Sequence, residues 1–193
     1  AILRLRKSDI SGALADAEKA LLLKPHLFQL WGIVGNLRYQ LNDLDGAIKA
    51  LTEGLKLEPQ NVEHRVNLGE FLRQNNQIES AITVLKEAVS CAPGSASAWS
   101  NLGTALQSAG QKKEAQYAYD RSLSIDPQSV EIAINLGVLA QEEENWEAAT
   151  RYFEQALSIQ PTRTDLMANV ATSLIGLRPP TDVPRIFSVS LIA

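Results

Sequence analysis

The amino-acid sequence predicts an all-α protein, built as a solenoid of stacked helical hairpins. The first observation is a set of five prolines at intervals of 34 residues: Pro25, Pro59, Pro93, Pro127 and Pro161. The second is that small and large apolar residues return at fixed places in every interval, with the spacing of helix faces. Each hairpin of this kind is stabilised mainly by its neighbours, so consecutive hairpins must stack.

The prolines define the repeat register when each is placed at position 32. The complete repeats then cover residues 28–61, 62–95, 96–129 and 130–163. A partial repeat precedes them over residues 1–27, and another follows over residues 164–177. The predicted array therefore spans residues 1–177.

Small residues mark the place where the two helices of a hairpin cross. Position 8 of the first helix holds Ala1, Gly35, Gly69, Gly103, Gly137 and Ala171. Position 20 of the second helix holds Ala13, Ala47, Ala81, Ala115 and Ala149. Large apolar residues occupy position 24: Leu51, Leu85, Tyr119 and Phe153. Small side chains allow the backbones to approach closely while a bulky partner fills the space beside them.

The ends of the helices are also predicted locally. Each proline ends a second helix, because the residue before a proline is pushed out of the helical region. Two residues later, good N-caps begin the next first helix at Asn61, Ser95 and Ser129. Within the hairpins, the chain reverses at residues that tolerate a left-handed backbone, which are Asn42, Asn76 and Gly110.

This helix–turn–helix unit has Trp, Leu and Gly at positions 4, 7 and 8, Ala at 20 and Pro at 32, and it resembles the tetratricopeptide repeat. The best match runs from Trp99 to Pro127, as WSNLGTALQSAGQKKEAQYAYDRSLSIDP. Arg65 and Ala133 depart from the pattern at position 4. The resemblance implies a right-handed superhelix, in which the first helices line a concave groove and the second helices form the convex back.

Residues 178–193 break the pattern, because prolines fall where the sixth repeat needs its second helix. These prolines are Pro179, Pro180 and Pro184. Three interpretations stay open for this tail: a linker into another domain, an artefact, or a makeshift cap. The cap would use the apolar residues Ile186, Phe187, Val189 and Leu191.

Composition and charge exclude several classes of partner. The 193 residues carry a formal net charge of -4, so the chain has no basic footprint for nucleic acid. No apolar run approaches the roughly 18 residues that span a bilayer, and we expect no membrane insertion. Without a secretory signal pattern, the cytoplasm is the default expectation. The missing initiator Met indicates a piece of a longer protein.

The sequence offers no arrangement typical of catalysis, a cofactor or a metal. Cys91 is the only cysteine and is expected to be semi-buried, while His26 and His64 lie far apart in the chain. The acidic run Glu142–Glu144 falls in a hairpin turn, where a solvated charge cluster is the expected role. We therefore expect no enzyme activity and no cofactor in this chain.

One polar position recurs without a packing reason. Position 6 holds Asn67, Asn101, Asn135 and Asn169, which we call the asparagine ladder. It lies about 200° around the helix from positions 4 and 8, away from the hairpin crossing. Asn inside a helix costs about 0.5 kcal/mol relative to Ala, so packing does not favour it. The ladder predicts a groove that holds the backbone amides and carbonyls of an extended peptide.

Two alternatives to peptide binding stay open for the ladder: its side chains bond to each other or to water, or duplication copied them. The ladder is similar to that of O-linked N-acetylglucosamine transferase arrays, where the resemblance implies a role in holding polypeptide substrates. Ile33 interrupts it in the first complete repeat, although Asn36 adds an amide at groove position 9.

Chaperone-binding arrays hold a terminal carboxylate with cations in the groove, and the corresponding positions here lack every cation. The groove positions of the first helices carry five acids and one base: Glu63, Glu70, Glu131, Glu142, Asp165 and Arg73. We therefore expect a partner that is not strongly acidic.

The sequence leaves two classes of function. The leading one is a non-catalytic scaffold that binds an extended segment of a protein partner in its groove, through Asn36 and the asparagine ladder. The alternative is the substrate-recruiting arm of a larger enzyme, such as a glycosyltransferase or sulfotransferase. Self-association through the exposed end of the sixth repeat is a further possibility.

Overall fold

A computed structural model of the protein describes residues 9–177, and within that range every regular element is an α-helix. The helices are α1 (Ile10–Leu23), α2 (Phe28–Gln40), α3 (Leu44–Leu57), α4 (Val62–Gln74), α5 (Ile78–Cys91), α6 (Ala96–Ser108), α7 (Lys112–Ile125), α8 (Val130–Glu142), α9 (Trp146–Ile159) and α10 (Thr164–Gly176). The expectations for residues 1–8 and for the tail 178–193 lie outside the described residues.

The helices form stacked hairpins, so the predicted all-α solenoid is confirmed. First and second helices pair as α2 with α3, α4 with α5, α6 with α7 and α8 with α9. Each second helix then packs on the next first helix, through to α9 on α10. First helices also contact one another, α4 with α6 and α6 with α8, which places them side by side on one surface.

The predicted helix ends are confirmed. The residue before each repeated proline is a C-cap with φ between -138 and -123° and ψ between 68 and 83°, outside the helical region. These residues are Lys24, Glu58, Ala92, Asp126 and Gln160. The side chains of Asn61, Ser95 and Ser129 accept hydrogen bonds from backbone amides in the first turns of α4, α6 and α8.

The hairpin turns contain one residue that sequence reasoning missed. Asn42, Asn76 and Gly110 have φ values of 61, 58 and 73°, as predicted. The fourth hairpin puts Glu144 at the same register position, with φ of 57°. A left-handed backbone is unfavourable for an ordinary L-residue, so the fold forces Glu144 into a costly conformation.

Replacing Glu144 with Asn is expected to raise the free energy of unfolding by up to about 1 kcal/mol, because Asn tolerates the left-handed region. Urea unfolding followed by circular dichroism measures the change. Glu143→Asn is the matched control, since Glu143 is the adjacent residue and has a negative φ of -96°. Equal stabilities of the two variants would contradict the prediction.

The small-to-large pairing at the hairpin crossings is also confirmed. A methyl group on Gly137 would lie 2.7 Å from the Phe153 ring, and one on Gly103 would lie 2.6 Å from the Tyr119 ring. Gly35 and Gly69 meet leucines in the same way. All four large partners are 0% exposed: Leu51, Leu85, Tyr119 and Phe153. The crossing therefore depends on the missing side chain at position 8.

His64 on α4 lies at the junction with α2 and α3 and is only 5% exposed. Two glycines leave room for its ring: a methyl group on Gly32 would clash with it, and one on Gly54 would lie 3.0 Å from Nδ1. Phe28 packs edge-on against the ring, with centroids 5.8 Å apart. His64 Nδ1 has no hydrogen-bond partner among residues 9–177. Burial lowers the pKa of His64, and the nearby Glu63 carboxylate opposes the shift only in part.

Acidification is expected to destabilise the fold through His64. The unfolded chain takes up this proton near pH 6.5, whereas the folded chain takes it up only at a lower pH. Stability is therefore complete above the unfolded pKa and falls as the pH drops towards the folded pKa. The free energy of unfolding, measured with urea between about pH 8 and about pH 5, should fall less steeply with decreasing pH for His64→Phe than for the native chain. His26→Phe is the control at an exposed histidine, and a native slope in both variants would refute this assignment.

Two surface features complete the description. The expectation of a semi-buried Cys91 is wrong: the residue is exposed at the end of α5, with Sγ 3.0 Å from Gln60 Oε1.

Helix α10, the first helix of the sixth repeat, exposes large apolar side chains, including Met167 at 46% and Ile175 at 69%. Among residues 9–177, no second helix follows α10 to cover them.

Candidate functional site

The first helices carry the predicted site residues on one surface, which we call the first-helix face. All five side chains are half-buried on five successive first helices: Asn36, Asn67, Asn101, Asn135 and Asn169. Because α4, α6 and α8 contact one another in turn, the central asparagines lie on neighbouring helices. The amides are thus held on rigid elements and remain partly open to solvent.

The asparagines differ in how far the fold uses their amides. Asn67 Nδ2 donates to Asn36 Oδ1 across 3.4 Å, a long contact that joins α4 to α2. Asn101 Nδ2 donates to the Ser97 carbonyl one turn earlier, at 2.9 Å. The side chains of Asn135 and Asn169 make no hydrogen bond with any residue between 9 and 177. Mutual bonding therefore accounts for the Asn36 and Asn67 amides only.

A cavity of about 260 Å³ with a mixed polar and apolar wall adjoins Asn101. It lies where the N-terminal ends of α6 and α8 face each other beside the last turn of α7. Seven of the nine residues in its wall carry a hydroxyl, amide or carboxylate group, and the wall is formed by Ala96, Ser97, Ser100, Asn101, Ser122, Asp126, Ser129, Glu131 and Ile132. Such a lining can donate to carbonyls and accept from amides, as an extended peptide requires.

The first-helix face is less acidic than its sequence positions indicate. Glu70 pairs with Arg73 at 2.8 Å, as two groove residues on α4. Glu142 pairs with Lys112 at 3.6 Å, and that cation comes from the start of α7 rather than from a first helix. Asp165 is paired with Arg163, the residue that caps α10.

Two groove acids have no ion pair within the described range: Glu63 and Glu131, both exposed. They leave a mildly negative surface around the central repeats.

Glu70 is ionised on this face. Burial alone would raise the pKa of its carboxyl, but the hydrogen bonds from Arg73 and Gln74 outweigh burial and lower the pKa. Glu70 is therefore charged and already engaged.

A second row of polar contacts links successive first helices, and sequence reasoning missed it. Gln74 Nε2 donates to the Tyr39 hydroxyl at 2.9 Å, joining α4 to α2. Gln107 Nε2 donates to Glu142 Oε1 at 3.0 Å, joining α6 to α8. Gln141 Nε2 donates to Ser173 Oγ at 2.9 Å, joining α8 to α10. The recurrence of Gln at positions 12 and 13 was the signal that could have revealed this row.

The row is anchored from behind by a second helix. The buried Tyr119 hydroxyl on α7 donates to Gln107 Oε1 at 3.0 Å, and Gln107 in turn donates to Glu142. Burial raises the pKa of Tyr119 despite the hydrogen bond with Thr104, so the phenol stays protonated and can donate. This chain of bonds joins α6 to α8 near their C-terminal ends, beyond Asn101 and Asn135.

The part of the chain between residues 9 and 177 contains no cluster of three or more His, Cys, Asp and Glu side chains suited to a metal ion. Over the same residues, no helix has the length and apolar character needed to cross a bilayer.

Three family models described as Tetratricopeptide repeat match the sequence. The first covers residues 38–106, the second 96–129 and the third 130–160, so that the matched segment runs through most of the array. The chain is a tetratricopeptide repeat (TPR) protein. Its membership agrees with the stacked hairpins and indicates a protein-interaction scaffold.

Solved TPR structures show the same fold. In the crystal structure of MamA, the sequence is 26% identical to this one. The match covers 77% of this chain and 81% of the MamA chain, with a TM-score of 0.71. TTC0263, a thermophilic TPR protein of Thermus thermophilus, is 19% identical, with 90% and 95% coverage and a TM-score of 0.71. YrrB, a TPR protein with an unusual peptide-binding site, is 24% identical, with 86% coverage of both chains and a TM-score of 0.71. No curated protein matches the sequence.

Proposed function

We propose that this TPR protein binds an extended segment of a protein partner along its first-helix face, without catalysing a reaction itself. The observation that carries the proposal is that the Asn135 and Asn169 amides are unused by residues 9–177, while Asn101 bonds only within its own helix. Each amide can donate to a peptide carbonyl and accept from a peptide N–H. A site of this kind holds peptide backbone and reads little of the side chains.

The charges of the first-helix face restrict the partner. Glu63 and Glu131 are exposed and unpaired within the described range, and Glu131 lines the cavity beside Asn101. A neutral or basic segment suits this surface, whereas an acidic one is repelled. YrrB is a TPR protein with a peptide-binding site, and this supports peptide binding as a use of the fold.

The test replaces Asn101, Asn135 and Asn169 together with Ala, because these ladder side chains make no bond to another helix within residues 9–177. A library of random peptides of about 12 residues is displayed on phage and selected against the full chain, and affinities of the selected peptides are measured by fluorescence anisotropy. We expect binding at least about tenfold weaker, since each lost hydrogen bond contributes about 0.5–1.5 kcal/mol. The fold should be intact or more stable, because Ala is the better helix former.

The control is a triple replacement with Ala on the exposed side of the second helices, at Thr83, Gln116 and Glu154. It alters the same number of polar side chains without touching the first-helix face. If the asparagine variant binds the selected peptides as tightly as the control does, the proposed role of the ladder is refuted.

The alternative function, a substrate-recruiting arm of a larger enzyme, would use the same face. The full-length gene distinguishes this arm from a non-catalytic scaffold, because it either encodes a catalytic domain beyond these residues or does not. Self-association through the end of the sixth repeat stays a prediction. It predicts a sedimentation coefficient that rises with protein concentration and becomes constant in Ile175→Glu, which alters the exposed face of α10.

A further inference from the structure

The second helices α5 and α7 are separated by an open apolar cleft of about 480 Å³, on the opposite side of α6 from Asn101. Its apolar lining consists of Val89, Trp99, Leu102, Leu106, Tyr117 and Ala118. Tyr117 is 61% exposed, which is unusual for a large aromatic side chain. We refer to this feature as the α5–α7 cleft. It is separate from the first-helix face and is not used by the proposed function.

The wall of the cleft is held in place before any partner arrives. Trp99 Nε1 donates to the Pro93 carbonyl at 2.8 Å, which fixes the plane of the indole. Tyr117 packs edge-on against this ring, with centroids 5.9 Å apart, and the Arg121 guanidinium lies 5.7 Å from its centroid. A preformed aromatic wall loses little side-chain entropy on binding, which favours its use as an anchor site.

The corresponding junctions of the other described repeats contain polar pairs. At the first junction, Glu18 and Arg38 form an ion pair of 2.8 Å. The α5–α7 cleft cannot form this pair, because the same two register positions hold Lys86 and Leu106 there. At the last, the Asp120 carboxyl and the Tyr152 phenol lie close enough for each to shift the pKa of the other, and Tyr152 stands at the register position of Ala118.

The junction before the cleft has a different polar pair. Arg65 occupies the register position of Trp99 there, and its guanidinium pairs with Glu87 at 3.1 Å. Among the four junctions between second helices in residues 9–177, the α5–α7 junction is therefore the one without such a pair. The neighbouring junctions keep the same fold with charged side chains at these positions, so packing within the solenoid does not require the apolar wall of the cleft.

The rim of the cleft is basic on an acidic protein. Lys86 on α5 and Lys113 on α7 line its two sides, and neither makes an ion pair with residues 9–177. Arg121 adds a third cation beside Trp99, against the single carboxylate of Glu114. Cations around an apolar floor match a ligand that carries carboxylates around an apolar side chain.

We propose that the α5–α7 cleft is a second docking site, which takes an acidic segment of a partner protein anchored by one large apolar side chain. The apolar anchor enters between Tyr117 and Val89, and the flanking carboxylates meet Lys86 and Lys113. The volume lies within the range of pockets that enclose small ligands, so it accommodates a single aromatic or branched side chain. The two faces of the protein thereby select partners of opposite charge.

The test uses the same displayed library of peptides of about 12 residues, selected against the full chain and sorted by the variants that abolish binding. We expect a class of peptides with Asp or Glu around Trp, Phe or Leu. Its affinity should fall at least about tenfold in Tyr117→Ser and again in Lys86→Glu/Lys113→Glu, and should weaken as salt is added. The same peptides should bind normally to the triple asparagine variant.

Arg151→Ser is the matched control, because Arg151 is exposed at the register position of Tyr117 one repeat later. Circular dichroism melts establish that the variants stay folded, and the lysine variant tests the site independently because both lysines are exposed. The proposal is overturned if Tyr117→Ser weakens the binding of no selected peptide. It is also overturned if the peptides that Tyr117→Ser weakens are not acidic and bind Lys86→Glu/Lys113→Glu as tightly as the native chain. Loss of binding only in the asparagine variant would support the first-helix face and refute the cleft.

Discussion

Replacing Phe153 with Ala is expected to lower the free energy of unfolding by about 3–5 kcal/mol, the usual cost of removing a fully buried aromatic side chain. Phe153 is 0% exposed and fills the space beside Gly137 where α8 and α9 cross. The cavity that Ala would leave lies between the two helices of one hairpin, so neighbouring repeats cannot collapse to fill it. Urea unfolding followed by circular dichroism measures the loss.

A second substitution tests whether the pair acts as a unit. In the native background Gly137→Ala should destabilise, because its methyl group would lie 2.7 Å from the Phe153 ring. In the Phe153→Ala background the same substitution should stabilise by about 1 kcal/mol, since the clash is gone and Ala is the better helix former. The prediction is wrong if Gly137→Ala changes stability in the same direction in both backgrounds.

Replacing Ala115 with Leu is expected to cost about 1–3 kcal/mol or more, through overpacking of the crossing between α6 and α7. Ala115 is 0% exposed at position 20, where every described repeat has Ala. Three added carbon atoms have no space there and must separate the two helices. A lower melting temperature and a lower urea midpoint are the expected readings.

Gln116→Leu is the matched control, because Gln116 is the next residue of α7 and is exposed. It adds an apolar side chain to the same helix without touching the crossing, so its stability should stay within about 0.5 kcal/mol of the native chain. Equal losses in the two variants would show that Leu in this helix, rather than the crossing, causes the effect.

The predictions that followed from repetition and local chemistry hold well. The residue before a proline leaves the helical region whatever surrounds it, so the ends of α3 and α5 follow from Pro59 and Pro93. The N-cap of α6 at Ser95 has the same local origin. Gly103 and Tyr119 belong to one hairpin, and their fixed separation in sequence made the pairing visible.

The missed features depend on particular side chains from different repeats. His64 is buried because Gly32 and Gly54, from the preceding repeat, both leave space for its ring. Lys112 reaches Glu142 from the adjacent repeat and reduces the charge of the first-helix face. Such contacts join residues of different repeats, and no helical period indicates them.

The candidate site divides in the same way. The positions of Asn101 and Asn135 on successive first helices follow from the register, because position 6 always faces away from the hairpin crossing. The availability of their amides does not follow, since Asn67 is engaged by Asn36 while Asn135 has no partner within residues 9–177. The ladder residues are thus equivalent by sequence yet different in use.

The sequence by itself determined the solenoid, its register and its helix ends, because each depends on backbone preferences and on residues within one 34-residue unit. Only the tertiary structure decided which amides stay free, how the groove acids are paired and where the second helices leave an open cleft. These depend on which side chains from neighbouring repeats meet, and at each junction a single exchange, such as Arg65 for Trp99, changes the surface without changing the fold.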